Sequence, residues 1–260
     1  VGSGNGEIAF ANVVGSCVVN VLLIIGLASF IRPIKVKHAT IKKELPILVI
    51  ITSVFAVLML DSIFNPYTSD TFSRSDGIIL LLLFGLFVVY LIQMLFKRSD
   101  YSEEEIEKIK YSSWVAIIII VVSIILIVYS SDLIVESAKE IATRLHISEK
   151  LITMFAIVIG TSLPEMVMTI TSAKKGEFDI AIGNIIGTNI FNISIVLGLP
   201  VIIYGNVLLT GFGIVDIIAV FLSSALLFLF ARSEKTIDKK EAIVMLVIFA
   251  IYYVFLLVEG

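Results

Sequence analysis

Residues 152–204 read ITMFAIVIGTSLPEMVMTITSAKKGEFDIAIGNIIGTNIFNISIVLGLPVIIY: two apolar segments joined by a short charged loop. The first segment is interrupted by Gly160-Thr161-Ser162-Leu163-Pro164-Glu165, and the second carries Gly183-Asn184, Gly187-Thr188-Asn189 and Asn192. Proline removes a backbone donor and clashes with the preceding turn, so it breaks or kinks a helix. In hydrocarbon the freed backbone groups need partners. A Thr-Ser pair and a carboxylate at such a break place oxygen atoms and one negative charge near mid-membrane, where an ionisable group is costly and marks function.

Part of this stretch occurs twice. Residues Asn12 to Asn20, NVVGSCVVN, match Asn184 to Asn192, NIIGTNIFN, at a constant offset. The match reaches back to Ile8-Ala9 (Ile180-Ala181) and forward to Gly26-Leu27 (Gly198-Leu199). An offset this long is no solenoid period. It fits two halves of a transporter with corresponding broken helices around a shared site.

With these residues in place, the chain resembles the calcium/cation antiporter superfamily, in its sodium/calcium exchanger branch. The matching residues are GTSLPE at 160–165 and GNIIGTNIFN at 183–192 for the second α-repeat, and ANVVGSCVVN at 11–20 for the first. The resemblance implies an all-α membrane protein with an inverted-repeat antiporter fold of ten helices. It also implies a GTSLPE-like segment in each repeat. Here the chain starts at Val1, just after the place where the first such segment would end, so that segment and two helices are expected upstream of it.

Composition agrees: 58% hydrophobic, 16% charged and a mean hydropathy of +1.08 point to a polytopic membrane protein. The single cysteine, Cys17, rules out an intramolecular disulfide framework, and nothing suggests nucleic-acid binding. Apolar runs fall near 8–31, 45–60, 77–96, 113–136, 150–173, 178–204, 211–231 and 241–258. Each is read as one crossing of a core that needs about 20 helical residues, giving eight spans; the 45–60 run is short and recruits flanking residues. If every run crosses once, fifteen Lys and Arg fall on the side of loop 31–44 and four on the other. That asymmetry makes the first side cytoplasmic and places the C-terminus outside. The two repeats then cross in opposite directions. The chain divides into a first half at 1–96 with an incomplete α-repeat 1 (1–31), a cytoplasmic linker at 97–112, and a second half at 113–260 with α-repeat 2 (150–204). An integral multi-pass protein of a prokaryotic cell membrane is expected. Residues 132–146 read as an outward amphipathic extension of the fourth run. Its Asp132, Glu136 and Glu140 either line a vestibule or are wet charges at an interfacial helix end.

The centre offers oxygen. Ca²⁺ takes six to eight hard oxygen ligands in irregular geometry. The candidate ligands are Glu165, Thr161 and Ser162 at the break, Thr188 and Asn192 in the second repeat, and Ser16 and Asn20 in the first. Hydroxyl, carbonyl and amide oxygens suit Na⁺ as well, so one cage can hold either ion in turn. A divalent ion in a low dielectric needs roughly two negative charges nearby, and Glu165 supplies one. The resemblance implies that the partner glutamate comes from the first GTSLPE-like segment. Asp61 and Asp216, at span ends, are read as wet caps. Gly183 and Gly187 have the small-xxx-small spacing of close helix packing, and Cys17 is assigned to packing. The Pro-Glu break is also compatible with a plain kink whose carboxylate sits in a hydrogen-bonded pair.

The function expected is secondary active exchange of Ca²⁺ for Na⁺ by alternating access, with the two ions and the lipid bilayer as partners, no cofactor, and an open oligomeric state. The alternatives are a Ca²⁺/H⁺ or other cation/H⁺ antiporter on the same scaffold, a channel, or a non-transporting membrane protein if the N-terminal half-repeat is truly absent. An enzyme is disfavoured by the lack of HExxH, GxSxG or a His inside any span.

Overall fold

The computed structural model describes residues 6–60, 71–97, 112–144, 158, 160–208 and 214–259. Among these, eight helical rods carry nearly all of the chain. The first joins α1 (Gly6–Val18), a π-helical segment (Val19–Ile25) and α2 (Gly26–Ile31) without a break. A π-helical segment at Thr40–Glu44 leads into α3 (Leu45–Leu58), so the short 45–60 run does lengthen by recruiting its flank. Then come α4 (Arg74–Lys97), α5 (Ser113–Arg144) and α6 (Leu163–Lys175). The sixth rod repeats the first: α7 (Phe178–Phe191), a π-helical segment (Asn192–Leu197) and α8 (Gly198–Tyr204). The last two are α9 (Ile214–Ser233) and α10 (Lys239–Glu259). The linker expected at 97–112 falls, from residue 98 to 111, outside the described residues, as do Asp61 and His146.

The chain divides into two compact units, one of residues 1–84 with 165–260 and one of residues 85–164. The first holds both repeat rods. Its packing centre is the rod of repeat 1: the apolar window in Phe10–Ile31 is 78% buried, against 33% for Ile214–Ser233, whose Ile218 and Leu229 are left for lipid. Val13, Val14, Val18, Leu22 and Ile25 from repeat 1 are fully enclosed, as are Ile182, Ile185, Ile190 and Leu197 from repeat 2. In the second unit, α5 exposes Trp114, Ile117, Ile118 and Ile125. Such a continuous apolar surface suits hydrocarbon rather than water. At its far end the exposed Glu140 and Arg144 pair at 2.6 Å, one helical turn apart. Glu136 is exposed too, so the reading of wet charges at a helix end fits these two acids.

Two short ribbons determine which loops share a face. Strand β1 (Ile34–Lys35) pairs antiparallel with β4 (Thr236–Ile237), and β2 (Thr71–Phe72) with β3 (Val207–Leu208). The first ribbon is extended by Val36 N–H donating to the Lys235 carbonyl at 2.8 Å. Beside it, the Arg32 guanidinium donates to the Lys174 carbonyl at 2.6 Å, and Lys37 pairs with Asp179. Segments 32–37, 174–179 and 235–237 therefore lie on one face, where the basic loops were expected together. On the other face, Arg74 N–H donates to Asn206 Oδ1 at 3.1 Å, and Phe72 meets the rings of Phe10 (5.0 Å) and Phe55 (6.3 Å). The first repeat rod ends on the cation-rich face and the second begins there. The inverted repeat is thus explicit in the hydrogen bonding.

Partners in an antiparallel pair have Cα atoms about 4.5–5.5 Å apart, inside the window for a disulfide. Cysteines at positions 35 and 236, or at 71 and 208, are expected to cross-link on oxidation, as read by gel mobility after proteolytic nicking; 35 with 208 is not. Cross-linking of 35 to 208 at a comparable rate would contradict the two-face arrangement. Cys17, 1% exposed, stays out of the reaction.

Among the described residues, a Cβ added at Gly183 or Gly187 meets no atom within 4 Å, so no described neighbour shows the close helix packing that their spacing suggests. Spacing fixes the helix face but not what lies against it. The tight contact is between Gly77 of α4 and Gly198 of α8, where a Cβ on Gly77 would stand 2.7 Å from the Gly198 carbonyl oxygen. Gly26, which matches Gly198 in the repeat, abuts the side chain of Leu246 at 3.1 Å from where its Cβ would be.

Candidate functional site

Helices α6 and α7 form an antiparallel hairpin. Its turn is built on Gly176, at φ +87, a left-handed conformation that L side chains rarely adopt. There Gly176 N–H donates to Ala173 and Glu177 N–H to Ser172, satisfying carbonyls at the end of α6. Glu165 lies in the first turn of α6, as expected from Pro164, where the helix dipole favours a negative charge. One turn on, the buried Thr169 accepts a hydrogen bond from Asn184 Nδ2 at 3.1 Å, tying α6 to α7. Residues four apart share a helix face, so Glu165 is on the face that meets α7. In an antiparallel pair, one turn back along α6 corresponds to one turn forward along α7, which brings Thr188 to the level of Glu165. The Glu165 Oε2 atom is sealed from solvent and has no hydrogen-bond partner.

The two repeat rods meet near their middles through side-chain amides. Asn189, fully buried on α7, donates from Nδ2 to the Cys17 carbonyl at 3.1 Å, and its Oδ1 accepts from Asn20 Nδ2 at 2.9 Å. A backbone carbonyl can only accept. It therefore fixes which end of the Asn189 amide faces it, and that in turn fixes Asn20 with its nitrogen toward Asn189. Asn20 Oδ1 is left pointing away, buried and without a partner. Asn20 and Asn192 both lie in π-helical segments, at matching places in the repeats. Such segments are rare and concentrate at functional sites. The lock itself is one-sided. The residue matching Asn189 in the other repeat is Cys17, whose thiol cannot supply the same pair of amide bonds to Asn192.

The other expected ligands are distributed as follows. Ser16 is buried on α1, and Thr188 and Asn192 are half-buried on the sixth rod. Ser162 is buried and Thr161 exposed at the turn before α6; Thr161 Oγ1 donates to the Val158 carbonyl at 3.3 Å. Asn189 lies outside the candidate ligands that the sequence offers, and its place opposite Cys17 in the repeat is the one sequence signal that sets it apart. Asn184, which seats α6, carries no such signal. Ser194, in the second π-helical segment, adds another buried hydroxyl without a partner. Asp216 differs from the wet cap expected of it: it is half-buried and accepts a hydrogen bond from Tyr252 on α10 at 2.8 Å. Among the described residues no group of three or more His, Cys, Asp and Glu gathers. Of the candidate ligands placed here, Glu165 is the one carboxylate and the others are neutral oxygen donors.

A family model described as sodium/calcium exchanger protein matches residues 1–93 and 115–258. The inner membrane protein YrbG of Escherichia coli (strain K12) is 34% identical over 209 residues, covering 76% of this chain and 60% of that protein. The sodium/calcium exchanger MaX1 of Methanosarcina acetivorans is 26% identical over 229 residues, covering 76% of this chain and 65% of the relative. The chain thus spans about three fifths of the length of these curated relatives. A solved structure of the sodium-calcium exchanger NCX_Mj superposes with a TM-score of 0.75 at 29% identity, over 96% of this chain and 76% of that one.

Proposed function

Because the chain belongs to the sodium/calcium exchanger protein family, a family of multi-pass membrane transporters and not of enzymes, we propose that it serves secondary active exchange of Ca²⁺ for Na⁺ by alternating access. The observation that carries this reading is the pair of orphaned acceptors, Asn20 Oδ1 and Glu165 Oε2, held inside the membrane-spanning unit without a donor. Buried polar atoms are costly when unpaired, and a cation is the natural partner for oxygens that face no donor. Glu165 supplies charge. Asn20, Asn192, Ser16 and Thr188, in the same compact unit as Glu165, supply neutral oxygen. Such a set binds Ca²⁺ or Na⁺ but not both at once, and that competition couples their fluxes.

Na⁺ is preferred over H⁺ as the coupling ion because Asn20 and Asn192 cannot titrate, whereas proton relays use carboxylates or His. The resemblance adds that an acidic residue at the second of these positions accompanies K⁺-dependent members; Asn192 departs from that pattern and supports K⁺-independent exchange. The test uses proteoliposomes of the complete protein and follows ⁴⁵Ca²⁺ entry. An outward Na⁺ gradient at equal pH is expected to drive uptake with or without K⁺, and a pH gradient without Na⁺ is not. Robust uptake on the pH gradient alone would establish the cation/H⁺ alternative. A strict K⁺ requirement would overturn the reading of Asn192.

A further inference from the structure

A pocket of about 400 Å³ opens on the cation-rich face and is lined by His38, Lys42, Arg232 and Lys235. Its apolar part is Ile41, Pro46 and Phe228. No acidic residue lines it, and Lys42, Arg232 and Lys235 have no ion-pair partner among the described residues. Three independent pieces of backbone gather these cations. Lys42 belongs to the π-helical segment at the start of the second rod, whose helical turns begin at His38, so the positive end of that helix adds to the field. Arg232 is in the last turn of α9. Lys235 sits at φ +55, a conformation rare for a non-glycine residue, and its carbonyl is held by Val36 N–H in the extended β1–β4 ribbon. Like charges brought together without counter-charge repel, so the arrangement calls for an anion.

The apolar lining says which anion. Ile50, one turn on from Pro46, and Phe221, two turns back from Phe228, are exposed along α3 and α9. An apolar track therefore leads from the pocket toward the middle of the membrane. A soluble phosphate gains nothing from it, whereas acyl chains do. Basic pockets between helices on this side of a membrane hold anionic headgroups. We propose that the pocket binds the phosphate headgroup of an anionic glycerophospholipid from the leaflet on the cation-rich face, with its chains lying along α3 and α9. The proposal is independent of the ion assigned to the centre.

The experiment titrates short-chain phosphatidylglycerol, phosphatidylcholine or inorganic phosphate into the detergent-solubilised complete protein, with native mass spectrometry counting retained lipid and thermal unfolding reporting stabilisation. Three proteins are compared: the parent, K42Q/R232Q/K235Q, and K174Q/K175Q/K240Q, which loses the same charge outside the pocket. Circular dichroism verifies the fold, and the single variants R232Q and K42Q stand in if the triple variant fails to fold. Phosphatidylglycerol is expected to be retained by the parent in preference to phosphatidylcholine. Its affinity falls about fivefold for each pocket cation removed, and the control triple retains the parent's affinity. Equal retention by the pocket variant and the parent would overturn the proposal. So would stabilisation by inorganic phosphate that matches that by phosphatidylglycerol, which would make the pocket a site for a free anion.

Discussion

Glu165→Gln is expected to abolish Ca²⁺ exchange while leaving the helical fold intact. The substitution keeps the shape and removes the charge. Breaking one partner of a buried charge interaction costs roughly 3 kcal/mol or more, which lowers Ca²⁺ affinity at least about a hundredfold. Stability separates this reading from that of a plain kink. Glu165 Oε2 is buried without a donor, so in the absence of Ca²⁺ its charge opposes folding. The amide variant is therefore expected to unfold at an unchanged or higher temperature in Ca²⁺-free detergent, and to lose the rise in Tm that Ca²⁺ confers on the parent. Near-normal ⁴⁵Ca²⁺ uptake into Na⁺-loaded vesicles, joined to a lowered Tm, would show Glu165 to be a structural carboxylate instead.

Asn189→Leu is expected to damage both stability and affinity, although Asn189 is not itself proposed as a ligand. Leucine fills the space but leaves Asn20 Nδ2 and the Cys17 carbonyl without their partner, in a fully buried contact. Each buried group left unsatisfied costs about 1–3 kcal/mol. Asn20 is then free to turn, and its acceptor oxygen no longer has a fixed place, so half-saturation for Ca²⁺ is expected to rise about tenfold on the loss of roughly 1.4 kcal/mol of positioning. The control is a double-mutant cycle with Asn20→Leu, read by thermal unfolding. The second substitution removes the stranded Nδ2, so its added cost should be well below its cost alone. Strict additivity would mean that the amide pair is not a lock.

Much of this architecture is legible from the sequence because it rests on short-range rules. The NVVGSCVVN and NIIGTNIFN repeat, the Pro164-Glu165 break and the one-sided Lys and Arg loops state the span pattern and the inverted topology, and the ribbons agree with them. What stays illegible depends on which surfaces meet. Asn20 and Asn189 lie 169 residues apart and do not occupy matching repeat positions, so internal symmetry points to Asn192 as the counterpart of Asn20 and away from its actual partner. Gly183 and Gly187 illustrate the same point: their spacing names a helix face, and no described residue crowds it. Asp216 looks like a solvated cap until α10 brings Tyr252 to it. The π-helical segments leave no composition signature, since VNVLLII and NISIVL read as ordinary apolar helix.

The two ribbons have a mechanical consequence. One stitches the loop between the first two rods to the loop between the last two on the cation-rich face, and the other joins the loop after the second rod to the loop after the sixth on the opposite face. The second rod with α3 and the seventh rod, α9, are thus tied to each other at both ends, and neither can slide along its own axis past the other without tearing a pair of backbone hydrogen bonds at one rim or the other. This makes α3 and α9 a rigid beam: any axial movement of one has to carry the other, and closing both ribbons covalently is expected to leave their register unchanged.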